Sequence, residues 1–508
     1  MRKFFIIFFI FDLFFLISCE NKVSVPSEEI PDEDGHVVSD DDTGEIHDGD
    51  AGLFDLKVEK NEKNSLSCRL TFSTADEKKT FVKYYSEHHA GYIIREDSAK
   101  NNHYFFLWGM REDLDYTIEI YSDEEESELL ATTEFHSGIL PDTVIKPYLV
   151  TNKKDFVQPG FVLISQLADP DTVEMPSVMF MVDTEGFVVW YFEHYLAGYT
   201  IPIDAEYNKD TKNISAGIMK GPNMADIPTE EGIEIDLEGN ILWKSPEIAG
   251  YYYSTNSWHH DYKLLDDGTI LFPVAVYNGA TVTDRIINVD RNYNELWSWS
   301  YLDSSEYFKD IICGNPGQDW CDWTHTNTVK MFKEDYTLYF NSLWLGFFKM
   351  DMTTRNIMWK FGKDGDFTML SDHQFPWPDC THDPKFADES RKRILFFDNG
   401  MQERFYSRII EYEIDEDAMT AKITFEYDGI DSGHGWFAGR GLGDADYLEN
   451  GNIFVTRGWV DYDQNSSLFE ITREGEVVWE LYTEQNEEYH VMLYNADKFV
   501  PQLEFLSE

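Results

Sequence analysis

The sequence predicts an all-β protein in which a small β-sandwich, residues 53–143, precedes a six-bladed β-propeller, residues 144–508. The main evidence is a segment that occurs six times: an apolar residue, a polar residue that is usually Asp, a short turn, and a strand ending at an aromatic residue. VDTEGFVVW at 182–190 is one copy. The aromatic anchors recur every 53 to 66 residues, at Trp190, Trp243, Trp297, Trp359, Phe425 and Trp479. A period near 50 with several short strands per unit is typical of a β-propeller.

A second repeated segment predicts a further strand in most units. It is a short apolar run, found as FVLIS (161–165), TILF (269–272), TLYF (337–340), ILFF (394–397) and NIFV (452–455). Several runs follow turn residues such as Asp267-Gly268 and Asn450-Gly451, which suit a tight hairpin. Helical periodicity is nearly absent. We therefore expect the repeated aromatic residues to pack the blades rather than to bind a ligand.

The region before the repeats predicts a separate domain. Its alternating runs, such as TFVKYYS and YTIEIYS, are typical of short strands with one buried face. Tyr116 lies just ahead of a strand, in a loop-to-strand corner that resembles that of fibronectin type III sandwiches. We expect this domain to be a spacer or a cover on the substrate side.

The start of the chain predicts export and a membrane anchor. Residues 1–19 resemble a bacterial lipoprotein signal peptide, with a basic start, an apolar stretch too short to span a bilayer, and Leu-Ile-Ser-Cys. The resemblance implies lipid on Cys19; an ordinary signal peptide is the alternative. Residues 20–52 are rich in carboxylates and poor in large apolar side chains, which predicts a disordered tether. Glu20 favours the outer membrane. We expect an exported lipoprotein on a periplasmic face or the cell surface.

The charge balance restricts the partners. The chain has 95 acidic and 41 basic residues and a net charge of −54, and nothing in it resembles a basic stripe. We therefore expect no nucleic-acid partner. A site for a small anion has to be built locally from His, Lys, Arg and backbone N–H groups. The sequence defines no oligomeric state.

The cysteines predict one local disulfide. Cys313 and Cys321 flank the turn-rich segment GNPGQDW, in a chain that we expect to be exported. A disulfide between them would clamp the loop that leads to His325. Cys68 and Cys380 fall in different predicted domains, and we expect both to be free, buried thiols.

Histidines mark the predicted functional site. They lie in four segments, WHHD (258–261), DWTHTN (322–327), CTHDP (380–384) and GHGW (433–436), and three of these precede an apolar strand. Because a propeller brings equivalent positions to one axis, we expect these histidines to meet in one pocket. Clustered imidazoles repel when protonated, so they would be neutral bases suited to nucleophilic or acid/base work. A metal is the other use of such a cluster, but local pairs of ligands are missing.

The chain is similar to the bacterial aryl-sulfate sulfotransferases over nearly all of the predicted mature protein. The resemblance is carried by DWTHTNTV, NSLWLGFFKMD, IMWKFGKDGDF, CTHDPKF and FFDNG within 322–400, and by HHDYKLLDDGTILF and DYLENGNIFVTRG elsewhere. It implies transfer of a sulfuryl group from an aryl sulfate to a phenol through a transiently sulfated histidine, with no nucleotide donor and no cofactor. The family's nucleophile falls on His382. Its other active-site residues fall on His325, Asn327 and His260.

The sequence departs from the family at one position. Where the family has a Ser-Arg pair after the HxN motif, this chain has Ser342-Leu343, and Leu343 cannot bind an anionic oxygen. The candidates for substrate binding are His434, Arg408, Arg440 and Arg457. One of these residues, or Lys385, could supply a cation or a donor instead. Two other functions stay open: a non-catalytic propeller that binds a ligand or partner through its central face, and a metal-dependent hydrolase.

Overall fold

The computed structural model describes residues 52–506 except 124–126, 168–177, 194–198, 222–228, 247, 250–256, 278–280, 305–306, 309–320, 405, 430–441, 459–465 and 484–491. The predicted signal peptide and nearly all of the tether lie outside these residues. The all-β prediction is confirmed: the described chain has 37 strands, and its only helical elements are two short 3-10 segments, Lys154–Phe156 and Tyr301–Ser304. None of its helices has the length and hydrophobicity needed to cross a bilayer.

The N-terminal domain consists of two sheets. The first has the order β1-β2-β5 and contains β1 (Leu53–Lys60), β2 (Cys68–Lys78) and β5 (Lys100–Leu107). The second has the order β37-β4-β3-β6-β7 and contains β3 (Thr80–Ser86), β4 (His89–Arg95), β6 (Asp115–Ser122), β7 (Leu129–His136) and β37 (Glu504–Phe505). The hydroxyl of the buried Tyr116 accepts a hydrogen bond from the backbone N–H of Arg111 at 2.9 Å, which fixes the turn into β6.

The rest of the described chain forms six sheets, here called blades 1 to 6. Blade 1 has the order β36-β9-β10-β11, from β36 (Met492–Phe499), β9 (Phe161–Leu167), β10 (Val178–Asp183) and β11 (Val188–Phe192). Blade 2 contains β12 (Tyr199–Asn208), β13 (Asn213–Gly221), β14 (Thr229–Ile235), β15 (Ile241–Lys244) and β16 (Ile248–Ala249). Blade 3 contains β17 (Ser257–Trp258), β18 (Lys263–Leu264), β19 (Ile270–Tyr277), β20 (Thr281–Val289), β21 (Glu295–Ser300) and β22 (Cys321–Asp322).

The remaining blades follow in chain order. Blade 4 contains β23 (Thr326–Phe332), β24 (Thr337–Ser342), β25 (Gly346–Asp351) and β26 (Asn356–Phe361). Blade 5 contains β27 (Thr368–Met369), β28 (Thr381–Phe386), β29 (Arg393–Asp398), β30 (Arg408–Asp415) and β31 (Thr420–Tyr427). Blade 6 contains β32 (Asp444–Tyr447), β33 (Ile453–Arg457), β34 (Ser467–Ile471), β35 (Val477–Tyr482) and β8 (Tyr148–Asn152).

The six blades form a closed ring. Contacts join β12 to β36, β13 to β18, β19 to β23, β23 to β28, β28 to β32 and β33 to β36, so each blade touches the next. The ends of the chain close the ring twice. The early strand β8 pairs with β35 in blade 6, and the late strand β36 pairs with β9 in blade 1.

The repeated Asp of the sequence has a structural role in the turn between the third and fourth strands of a blade. In blade 1, Oδ1 of Asp183 accepts hydrogen bonds from the backbone N–H groups of Glu185 and Phe187 at 2.9 and 3.0 Å. Asp236, Asp290, Asp351 and Asp415 accept similar bonds in blades 2 to 5. These side chains satisfy turn amides, so the motif is a hairpin device rather than part of a site.

The aromatic anchors pack the blades. Four are buried, at Trp190, Trp359, Phe425 and Trp479. Trp243 and Trp297 are only half-buried, and in blade 3 the fully buried residue is Trp299.

One element departs from the predicted domain boundaries. The sequence predicts a propeller over all residues from 144 to 508, but β37 pairs with β4 of the N-terminal domain. A strand of two residues leaves no periodic signal in the sequence. The two domains also share one core, in which Phe161 of β9 packs against Tyr92 and Trp108. The partly exposed Phe505 of β37 contacts Phe161 from outside this core. The N-terminal domain is therefore fixed to blade 1.

Candidate active site

A cavity on the axis of the ring brings predicted site residues together. It is lined by Asn495 of β36, Asp204 of β12, His260 and Asp261 of blade 3, Asn327 of β23, His382 and Asp383 of β28, and Leu442, Gly443 and Asp444 at β32. All six blades therefore contribute to one cavity. His325 lies beside it, with its ring centroid 4.7 Å from that of His260 and 6.2 Å from that of Trp344.

The backbone is unusual where it presents these side chains. Asp204, His260, His325 and Asp383 have positive φ angles of 53°, 63°, 44° and 31°, and Cys380 has 55°. Residues with a Cβ adopt this left-handed region uncommonly, at a cost of about 1–3 kcal/mol each. Such conformations concentrate at functional sites, where the surrounding structure holds a side chain in a defined direction.

His382 presents one ring nitrogen to the cavity without a partner. Its Nδ1 lies 2.7 Å from Oδ1 of Asn399, an oxygen that can only accept, so Nδ1 carries the proton. Nε2 is buried and has no hydrogen-bond partner among the described residues. Burial lowers the pKa of His382 to about 4, which outweighs the opposing effect of the hydrogen bond to Asn399. The side chain is therefore a neutral imidazole with its lone pair on Nε2.

Amide groups join blade 4 to β28, the strand that carries His382. Nδ2 of Asn327 donates to the carbonyl of Thr381 at 2.8 Å, and its Oδ1 accepts from Nδ2 of Asn341 at 2.8 Å. The hydroxyl of Thr381 donates to Oδ1 of Asn341 at 3.0 Å. This network fixes Asn327 and the residue before His382 relative to each other. The bond to Thr381 uses one of the two Nδ2 hydrogens of Asn327.

Charged residues surround the histidines. Lys263 pairs with Asp204, Glu206 and Asp261 at 2.8, 2.5 and 3.2 Å. Burial raises the pKa of Asp204 to about 7, against the attraction of Lys263.

Two further lysines pair with the carboxylate next to His382. Asp383 lies 2.7 Å from Lys385 and 3.3 Å from Lys330. Burial alone would raise the pKa of Asp383, but Lys330, Lys385 and Lys263 outweigh it and hold the pKa well below its ordinary value. Asp383 is therefore an ion-paired carboxylate.

The candidates for substrate binding have varied positions. Arg408 is buried in ion pairs with Asp398 and Glu426 at 2.8 and 2.7 Å, and it does not line the cavity. Arg457 is buried with its guanidinium over the ring of Tyr482. His434 and Arg440 lie outside the described residues. Leu343 is buried, and its N–H donates to the carbonyl of His325 at 3.0 Å.

The two cysteines whose side chains the structure describes form no disulfide. Cys68 and Cys380 are free and buried. Cys313 and the proposed bond to Cys321 lie outside the described residues, as does Cys19. Within the described ranges, no group of three or more His, Cys, Asp and Glu side chains is arranged to hold a metal ion.

Sequence reasoning missed three residues that act on the histidines. Asn399 orients His382. His259 contacts His260 directly, and Asp284 contacts His259. The HH doublet and the DNG after the strand ILFF were visible in the sequence. Asp284 carried no signal, because it is one acidic residue in a strand of an acidic chain.

Comparisons with known proteins match this chain to one family. The model of the family described as Arylsulfotransferase (ASST) matches residues 146–495. No curated protein matches the chain. Among solved structures, the Swd1 β-propeller domain of Myceliophteria thermophila is 12% identical, covers 68% of this chain and 88% of its own, and has a TM-score of 0.33. BamB from Moraxella catarrhalis is 11% identical, covers 72% and 94%, and has a TM-score of 0.29.

Proposed function

Because the chain belongs to the arylsulfotransferase family, we propose that it transfers a sulfuryl group from an aryl sulfate to a phenolic acceptor through a sulfated His382. The donor is an aryl sulfate rather than a nucleotide sulfate, and no cofactor takes part. The observation that carries the proposal is Nε2 of His382, a buried and unpartnered nitrogen with a lone pair at the cavity on the propeller axis.

The proposed reaction has two displacements. In the first, Nε2 of His382 attacks the sulfur of the aryl sulfate, the bond from sulfur to the aryl oxygen breaks, and phenolate leaves. In the second, the oxygen of an acceptor phenol attacks the sulfur and His382 departs with its lone pair restored. A neutral imidazole that is covalently modified divides one difficult displacement into two easier ones. The proton that Asn399 holds on Nδ1 keeps Nε2 as the nucleophile in both steps.

Neighbouring groups stabilise the negative charge on the sulfuryl oxygens. Sulfuryl transfer resembles phosphoryl transfer, in which charge spreads over three equatorial oxygens and catalysis depends on positioning and electrostatics. Asn327 lines the cavity and has a second Nδ2 hydrogen to donate. His260 lines the same cavity, and the ring of His325 lies beside that of His260. Lys330 and Lys385 neutralise Asp383, which reduces the repulsion between that carboxylate and an anionic substrate.

Pre-steady-state kinetics test the proposal. Mixing the protein with para-nitrophenyl sulfate and no acceptor should release one equivalent of phenol in a burst, and adding phenol should restore turnover. His382→Asn should lower the burst rate by more than about 10³-fold, because a nucleophile has no substitute. His325→Asn should cost about 10²–10³-fold, as expected for one oxygen-stabilising donor among several.

The matched control is His373→Asn. His373 belongs to the segment before β28 but pairs with Glu426 and does not line the cavity, so this variant should keep the burst. Chelator should change nothing. A wild-type protein with no burst on several aryl sulfates would favour a binding propeller, and loss of the burst with chelator would favour a metal-dependent hydrolase.

We also propose that the protein is exported and anchored through lipid on Cys19. The lipoprotein-like residues 1–19 and the acidic segment 20–52 support this location. Membrane fractionation with labelled palmitate should find the label in the protein and the protein in the membrane fraction. Cys19→Ala should lose both; label retained in that variant would contradict the anchor.

A further inference from the structure

We propose that Asp284, His259 and His260 form a proton relay, which protonates the departing phenolate in the first displacement and takes a proton from the acceptor phenol in the second. The relay rests on the proposed function and deepens it. It supplies what His382 cannot, because both nitrogens of that ring are committed, Nδ1 to Asn399 and Nε2 to the sulfur.

The three residues form a continuous chain of contacts. Nε2 of His259 lies 3.1 Å from Oδ1 of Asp284, and Nδ1 of His259 lies 2.8 Å from Nδ1 of His260. Asp284 is 1% exposed and His259 is 7% exposed, so water does not compete at either residue. His260, at the other end of this series of contacts, lines the cavity. The relay therefore runs from a buried carboxylate in β20 to the site of sulfuryl transfer.

Asp284 is held as an anion by the segment that carries His325. Its Oδ2 accepts from the backbone N–H of Thr326 at 2.5 Å, and its own N–H donates to the hydroxyl of Thr324 at 2.9 Å. Burial would raise the pKa of Asp284, but His259 and the bonds from Thr326 outweigh it and lower the pKa. Both carboxylate oxygens are used, one by the backbone and one by His259.

These contacts restrict where the protons lie. A carboxylate only accepts, so Nε2 of His259 carries a hydrogen in every state. The contact between the two Nδ1 atoms then requires one hydrogen between them, on either His259 or His260. If His259 holds it, His259 is an imidazolium beside Asp284 and His260 carries its proton on Nε2. If His260 holds it, both rings are neutral and Nε2 of His260 has a lone pair.

Moving between these two states delivers one proton to the substrate. As the bond from sulfur to oxygen breaks, Nε2–H of His260 gives its proton to the phenolate oxygen, and Nδ1 of His260 takes the proton from Nδ1 of His259. His259 changes from cation to neutral ring, the phenolate becomes phenol, and Asp284 stays ionised. The acceptor phenol reverses both transfers when its oxygen attacks the sulfur, so the relay is restored after each cycle.

The two rings of the relay have different neighbours. Burial lowers the pKa of His260 well below its ordinary value, and His325, His259 and His382 act in the same direction. His259 instead contacts the carboxylate of Asp284. His260 has a positive φ of 63°, and its ring centroid lies 5.0 Å from that of His259 and 4.7 Å from that of His325.

The dependence of rate on the leaving group tests the relay. A phenolate with a pKa of about 10 needs a proton to leave, whereas para-nitrophenolate does not. In single-turnover release, Asp284→Asn and His259→Gln should slow phenyl sulfate by about 10²-fold or more, the size of a general-acid effect, and para-nitrophenyl sulfate by less than about fivefold. Thr324→Val is the matched control: it perturbs the backbone of Asp284 without touching the proton path, so it should slow both donors equally.

Wild-type protein provides an independent readout if a variant fails to fold. The solvent deuterium isotope effect should be clearly above one for phenyl sulfate and near one for para-nitrophenyl sulfate. Equal slowing of both donors in the relay variants, or no isotope effect with phenyl sulfate, would overturn the relay. A wild-type protein without a para-nitrophenol burst would instead refute the proposed function, so the two failures are distinguishable.

Discussion

At the scale of single residues, the proposed reaction depends on the hydrogen bond that each histidine makes through one ring nitrogen. Asn399 accepts from Nδ1 of His382, and Asp284 accepts from Nε2 of His259. A hydrogen bond at one nitrogen decides which tautomer the other nitrogen presents. In the proposed function Asn399 is therefore a positioning residue, and its replacement is a test that leaves the proposed nucleophile in place.

Asn399→Ala should lower the single-turnover rate of His382 sulfation by roughly 10- to 100-fold, as for other groups that orient a functional imidazole. Asn399→Asp keeps an acceptor and adds a negative charge, which favours protonated His382. We expect this variant to react at neutral pH with the acid limb of its pH profile shifted upward. An unchanged rate in Asn399→Ala, measured by stopped-flow release of para-nitrophenol, would contradict the positioning role.

The acid limb in the unsubstituted protein should lie unusually low. Since burial lowers the pKa of His382 to about 4, the burst rate with para-nitrophenyl sulfate should stay constant down to about pH 5 and fall near pH 4. The stability of the fold should depend on pH in the same direction. The contribution of His382 to the free energy of unfolding is complete above its unfolded pKa of about 6.5 and is lost as the pH falls toward 4. An acid limb centred near pH 6.5 would show that the imidazole is not desolvated.

At the scale of elements, local motifs could be predicted and long-range pairs could not. The polar residue of each repeat, an Asp in five copies and Thr472 in the sixth, accepts hydrogen bonds from turn amides within four residues. The aromatic anchors recur every 53 to 66 residues, so both features leave a pattern in the sequence. Asn399 acts on His382 across one hairpin, and Asp284 acts on His259 from β20. Contacts of this kind depend on the register of strands, which composition and periodicity do not determine.

The element before His325 offers a test of the predicted disulfide. Cys321 begins β22, which pairs in parallel with β20, the strand that carries Asp284. A bond to Cys313 closes a short loop and should stabilise the fold by about 2–3 kcal/mol. Alkylation of the denatured protein with and without reductant, followed by intact mass measurement, should reveal two additional thiols after reduction. Free thiols at both positions in the unreduced protein would refute the bond.

At the scale of the whole molecule, the two ends of the chain close the ring. A six-blade ring follows from the repeats, but its double closure by β8 and β36 follows only from the structure. The sandwich that precedes the repeats was predictable from alternation, whereas the return of β37 to it was not. Closure matters for function, because the axial cavity takes residues from all six blades, including Asn495 of β36.

Two truncations separate closure from the return of the chain to the sandwich. Ending the chain after residue 490 removes β36, and with it the pairing with β9 and the contacts that this strand makes with β12 and β33, so we expect no cooperative unfolding transition. Ending it after residue 502 leaves β36 in place and removes the pairing of β37 with β4, the buried Leu503 and the ring contacts of Phe505. That chain should fold with a lower melting temperature and keep its burst. Calorimetry of both chains checks this, and a cooperative transition in the shorter one would contradict ring closure by β36.

The sulfuryl adduct tests the central claim most directly. Protein mixed with an aryl sulfate in the absence of acceptor, quenched and digested, should carry one acid-labile SO₃ group on the peptide that contains His382, and acceptor phenol should remove it. His382→Asn should yield no adduct, and His373→Asn should yield the full amount. An adduct on a different residue, or a stoichiometric burst of phenol with no adduct on any peptide, would contradict transfer through a sulfated His382.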